Sequence, residues 1–247
     1  MNPTVVDIRP PTEDAQRLWN LVLTLAAELG PDSEWSLIGG LMVQLHGFER
    51  GDDSRATADI DLLGGARRPP RMTEKIAEVL VRRGATMATP PRSNPGLGYR
   101  FEFEGETVEL LGPDGLKADP ATTSGLKTFQ VPGGTQALRR TEVVLVSLVG
   151  AEAVAVRRPD LLGAILIKAR VVAKGREEKF ASDRQDLVRL LSYVDDPRAL
   201  AGDLGKSEKR WFRDIEDAIG FDEPDLAELY PGPTLELAGQ AFALLIR

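Results

Sequence analysis

The chain has 247 residues, 42% hydrophobic and 28% charged, and 31 basic against 38 acidic side chains give a formal net charge of −7. That length suffices for a buried enzyme core, the composition is that of a folded protein, and the negative balance excludes a globally basic nucleic-acid-binding domain. With no cysteine and a single histidine, His46, there is no disulfide scaffold, thiolate nucleophile, zinc ribbon or iron–sulfur cluster, and any metal must sit on oxygen ligands.

In chain order, Met1 to Pro11 lacks the basic start and apolar run of a secretory signal. No window reaches the about 18 uninterrupted apolar residues of a membrane helix, so the expectation is a cytoplasmic protein with no membrane partner. Between Thr12 and Leu29, residues Leu18, Trp19, Val22, Leu25, Ala26 and Leu29 recur at helical spacing, with Thr12 as cap and Gly30-Pro31 as stop. Trp35 to Ile38 reads as a strand, Gly39-Gly40 as a turn, Leu41 to His46 as a short helix, Thr57 to Leu63 as a strand and Thr73 to Arg83 as a second helix. Alternation then predicts a hairpin, Tyr99–Phe103 with Thr107–Leu111 about a turn at Gly105. Asp114 to Gly134 reads as a long loop, Glu142–Leu148 and Ala153–Val156 as strands. From Pro159 the pattern is helical: 160–174, 182–194, 207–219 and 234–246. The expected fold is α+β, a mixed β-sheet with flanking helices over 1–157 followed by a helical bundle over 158–247.

The stretch from Ile38 to Leu63 carries the chemistry. In Thr57-Ala58-Asp59-Ile60-Asp61 the period of two puts both carboxylates on one face and Ile60 on the other. Two like charges so close raise each other's pKa unless a counter-charge intervenes, and a hard divalent cation bound through oxygens supplies it. Gly39-Gly40, between a strand and a helix, lets backbone approach a ligand and turns helix amides toward phosphate oxygens. With Val108 and Leu110 pointing the other way, Glu109 projects from the hairpin strand and completes a carboxylate triad; the opposing reading is one more exposed glutamate beside Glu102, Glu104 and Glu106.

These residues resemble the nucleotidyltransferase fold of the DNA polymerase beta superfamily, and within it the AbiEii-type and MenT-like nucleotidyltransferase toxins. That group carries a glycine pair and then R-x-T-x-D-h-D, h being apolar; here Gly39-Gly40 precedes Arg55-Ala56-Thr57-Ala58-Asp59-Ile60-Asp61. Its later block, a lysine on a helix, basic residues and D-x-x-D, appears as Lys168, Arg170, Arg176 and Asp183-Arg184-Gln185-Asp186. The resemblance spans Trp35 to Leu191 and departs where Ser182 stands in place of a lysine before Asp183. It implies transfer of a nucleoside monophosphate from a nucleoside triphosphate, with magnesium, or manganese in its place, as metal. Asp59, Asp61 and Glu109 are then metal ligands and catalytic residues, joined in catalysis by Lys168 and Asp183; Gly39, Gly40, Arg55, Thr57 and Lys168 bind nucleotide. Asp183 has a second reading, a structural partner of Lys168. The implied acceptor is RNA, tRNA in particular, or protein, and the implied setting a toxin with an antitoxin partner. The alternatives are a small-molecule acceptor of the aminoglycoside type and an inactive nucleotide-binding protein. Nine cations between Arg157 and Arg189 make a locally basic stretch that an RNA acceptor could use.

Overall fold

The computed structural model describes residues 5–52, 56–69, 71–123, 125–174, 177–221 and 223–247, with backbone only at 177–179. Two compact units divide the chain, Met1–Asp160 and Leu161–Arg247.

The first unit runs β1 (Val5–Ile8), α1 (Glu13–Leu29), β2 (Trp35–Ile38), α2 (Gly39–Phe48), β3 (Asp59–Gly64), α3 (Met72–Arg82), β4 (Thr86–Met87), β5 (Arg100–Phe103), β6 (Glu106–Pro113), β7 (Gln130–Val131), α4 (Gly134–Arg139), β8 (Thr141–Leu148) and β9 (Val154–Pro159). The larger sheet has the order β2-β3-β6-β5-β4, with β7 beside the end of β6, and a smaller one has the order β1-β8-β9. The larger sheet is mixed, because β3 and β6 are parallel while β2, β5 and β4 pair antiparallel to their neighbours.

Its core follows from the two periodicities. Along α1, Leu18, Trp19, Val22, Leu25, Ala26 and Leu29 are buried, and Thr12 caps the helix by accepting from the Ala15 amide at 3.2 Å. From the strands, Ile60, Leu62, Phe101, Val108 and Leu110 join Trp35, Leu37 and Ile76 of α3 in the same apolar cluster. Trp19 satisfies its indole by donating to Gln44 Oε1 at 3.0 Å.

The regular secondary structure among the second unit's described residues is all helix: α5 (Leu161–Lys174), α6 (Glu177–Ser192), α7 (Pro197–Gly202), α8 (Lys206–Arg213), α9 (Glu216–Ile219), α10 (Pro224–Leu229) and α11 (Gly232–Leu245). The α+β class with a mixed sheet and flanking helices is therefore the one the chain adopts. Among the described residues no helix is long and apolar enough to cross a membrane.

Some elements differ from the sequence expectation. The 114–134 segment is pinned rather than open: Asp114 accepts from the amides of Gly133 and Thr135 at 3.0 and 2.9 Å, and the segment contributes β7. The single helix expected over 207–219 is two, α8 and α9. Helices α7 and α10 were not foreseen; each is six residues long with a proline in its first turn, too short for a helical period to show.

Candidate active site

The site is built on β3 and β6. Their parallel register pairs Asp59 with Thr107 and Asp61 with Glu109, so the three carboxylates leave the same face while Ile60 and Val108 point into the core. One carboxylate oxygen from each of Asp59, Asp61 and Glu109 lies within 4.8 Å of the other two. Asp61 and Glu109 are buried and Asp59 is half-buried. The hairpin register that delivers Glu109 comes from a two-residue turn, with φ of 52° at Glu104 and 85° at Gly105, the pair of positive values a type I′ turn requires.

The glycine pair is packed against these acids. Gly39 opens α2 with φ 69°, and a Cβ built on it would fall 1.8 Å from Asp61 Oδ2. At Gly40 a Cβ would meet Thr57 Oγ1 at 2.7 Å. Thr57 in turn donates from Oγ1 to Asp59 Oδ1 at 3.0 Å. Helix α2 thus begins at the glycine pair itself, two residues earlier than the sequence reading, and its first turn has no side-chain cap. The positive end of the helix faces the carboxylate of Asp61, an arrangement that favours negative charge there. Arg55 lies outside the described residues.

One cation of this site was missed from sequence. Arg100 sits directly across β5–β6 from Glu109, and its Nη2 and Nε both donate to Glu109 Oε1, at 2.5 and 3.2 Å. The Glu109 carboxylate raises the pKa of the guanidinium, which stays charged. Counting outward from the turn at Glu104-Gly105 would have found it.

In the second unit Lys168 of α5 is buried, its Nζ 2.7 Å from both Asp183 Oδ1 and Asp186 Oδ2 of α6. Burial opposes the charge on Lys168, but the carboxylates of Asp186 and Asp183 outweigh it and raise the lysine's pKa. The structure brings Asp183 to Lys168 and adds Asp186, the second aspartate of the same sequence block. His46 is buried, and its Nε2 lies 3.1 Å from the Pro159 carbonyl; a carbonyl only accepts, so Nε2 carries the proton. Burial and the nearby Arg158 guanidinium push its pKa well below the usual histidine range.

The described cations of the basic stretch from Arg157 onward are largely engaged internally. Arg157 Nε donates to the Trp35 carbonyl, Arg158 pairs with Glu49 and Glu142, and Arg184 pairs with Glu223 and Asp225. Arg170 stacks 4.5 Å over Trp211, and Arg189 lies 5.3 Å over Tyr230. Arg176 lies outside the described residues.

The donors of Asp59, Asp61 and Glu109 are all carboxylate oxygens, they converge, and the missing Cβ at Gly39 leaves room for the Asp61 carboxylate; the set suits a hard cation such as magnesium or manganese.

No protein-family model and no curated protein sequence matches the chain. Among solved structures, the antibiotic-resistance factor ANT(2'')-Ia, whose conformational dynamics in solution are regulated by substrate, is similar at a TM-score of 0.41 and 14% identity, covering 87% of this chain and 94% of that one.

Proposed function

We propose that this chain is a magnesium-dependent nucleotidyltransferase of the AbiEii-type and MenT-like kind, transferring a nucleoside monophosphate from a nucleoside triphosphate to RNA or protein. The observation that carries the reading is the convergence of Asp59, Asp61 and Glu109 within 4.8 Å beside the uncapped, glycine-opened start of α2. The toxin role, with an antitoxin partner, rests on the resemblance of the sequence blocks alone.

In the reaction, an acceptor oxygen attacks the α-phosphorus, the bond to the bridging oxygen of the β-phosphate breaks, and pyrophosphate leaves. Magnesium held by Asp59, Asp61 and Glu109 would supply positive charge to the attacking and leaving oxygens of that in-line displacement. The amides of Gly39 and Gly40 face phosphate oxygens, since the first amides of a helix have no partner within it. Thr57, hydrogen-bonded to Asp59 and packed on Gly40, holds one acid and the glycine turn in a single geometry. Glu109 takes the acceptor's proton, completing the balance. Lys168 and Asp183 enter this reading through the sequence blocks; their pairing in the second unit supports the structural role for Asp183 as well.

Manganese titration of the protein and of Asp61→Asn, followed by incubation with each labelled triphosphate, tests the reading. The expected result is Asp61-dependent metal binding and transfer to total RNA or to protein, with transfer lost in Asp61→Asn while its melting temperature without metal stays level or rises. Label appearing on an aminoglycoside instead assigns the acceptor to small molecules. A fall in the metal-free melting temperature of Asp61→Asn with activity retained makes the acid structural and ends the proposal.

A further inference from the structure

Arg100 belongs to none of the motifs that mark the site, yet it reaches the triad's third acid. The sheet places it there by register: β5 sets Arg100 opposite Glu109, and β3 sets Asp61 opposite Glu109 on the other side. We propose that Arg100 is a built-in counter-ion of the carboxylate cluster and an electrostatic competitor of the divalent cation, so that it raises the cation concentration at which the site fills. The inference rests on the reading of Asp59, Asp61 and Glu109 as metal ligands.

Three carboxylates with oxygens within 4.8 Å of one another repel one another. A guanidinium in contact with one of them offsets that repulsion, and Arg100 also feels the charge of Asp59. Its two donors converge on Oε1 and do not themselves engage Oε2, so the pairing acts on a metal through charge rather than by blocking the carboxylate. The Arg100 side chain is 47% exposed and that of Glu109 only 8%, so the arginine has solvent to turn toward while the glutamate does not. A positive charge held this near a dication raises the dication's dissociation constant. At a dielectric between those of protein surface and water, the repulsion corresponds to roughly tenfold or more. Arg100 therefore works in opposite directions on two properties, stabilising the protein before metal binds and weakening the metal's hold.

Arg100→Gln keeps a donor for Glu109 and removes the charge. Free manganese measured by electron paramagnetic resonance during titration, and thermal melts in EDTA and in excess manganese, give the two readouts. The expected result is a manganese dissociation constant about tenfold lower, a lower melting temperature in EDTA and a larger rise on adding metal, with Arg100→Lys close to the parent in all three. Loss of an arginine that merely braces the hairpin would instead lower the melting temperature and the metal affinity together. Unchanged or weaker manganese binding in Arg100→Gln, with Asp61-dependent binding intact in the parent, overturns this inference alone. Absence of Asp61-dependent binding in the parent overturns the metal reading and this inference with it.

Discussion

Gly39 shows how narrow the tolerances of the site are at the scale of one residue. Its φ of 69° is a region that residues with a Cβ enter at a cost, and the carboxylate of Asp61 occupies the space that a Cβ would take. Gly39→Ala must therefore both strain the backbone, by about 1–3 kcal/mol, and push Asp61 away from Asp59 and Glu109. The expected outcome is a lower urea midpoint together with loss of manganese binding; a variant that binds manganese like the parent would show that the glycine serves only the turn. The same residues explain what sequence could disclose. Asp59, Asp61 and Glu109 were legible because strand alternation with Ile60 and Val108 decides which face each occupies. Arg100 was passed over because an exposed arginine on a strand carries no signal until it is set in register with its partner.

At the scale of elements, α5 and α6 are joined by a buried lysine shared between two aspartates. A buried pair deprived of one partner leaves uncompensated charge, a loss of about 3–5 kcal/mol, whereas a cation of similar reach preserves most of it. Lys168→Met should lower the second unit's stability by that order, and Lys168→Arg by much less. The pH dependence has a definite sign: the lysine's pKa is raised in the folded protein, so the pairing is fully present below the ordinary lysine range and is lost only as pH rises through the elevated folded value. Denaturation of parent and Lys168→Met between pH 6 and 9 should accordingly show a constant difference. Equal urea midpoints would remove the structural role and leave Lys168 to the nucleotide. Sequence periodicity located α5 and α6 because each runs for fourteen residues or more; the proline-opened α7 and α10 and the strand β7 are too brief for any period to emerge.

For the whole molecule, charge argues about the acceptor. The formal net charge is −7, and most of the described cations in the stretch that could locally reverse it are half-buried or buried. Arg158, Lys168 and Arg184 are paired with acids, and Arg170 is stacked on Trp211. Affinity for RNA falls with salt in proportion to the phosphates neutralised, by about 0.7 to 0.9 of a power of ten per tenfold in salt for each contact. With Lys174 the exposed described cation between residues 157 and 189, an RNA acceptor should be bound with a shallow dependence, a slope of magnitude below about 3. Arg170→Ala should leave that slope unchanged and lower thermal stability instead, because it removes a ring contact rather than a phosphate contact. Anisotropy titrations of labelled RNA across a series of salt concentrations measure the slope directly. A slope of magnitude above about 5 would require a basic surface elsewhere on the chain, and a slope that Arg170→Ala flattens would mean that the arginine leaves Trp211 to meet phosphate.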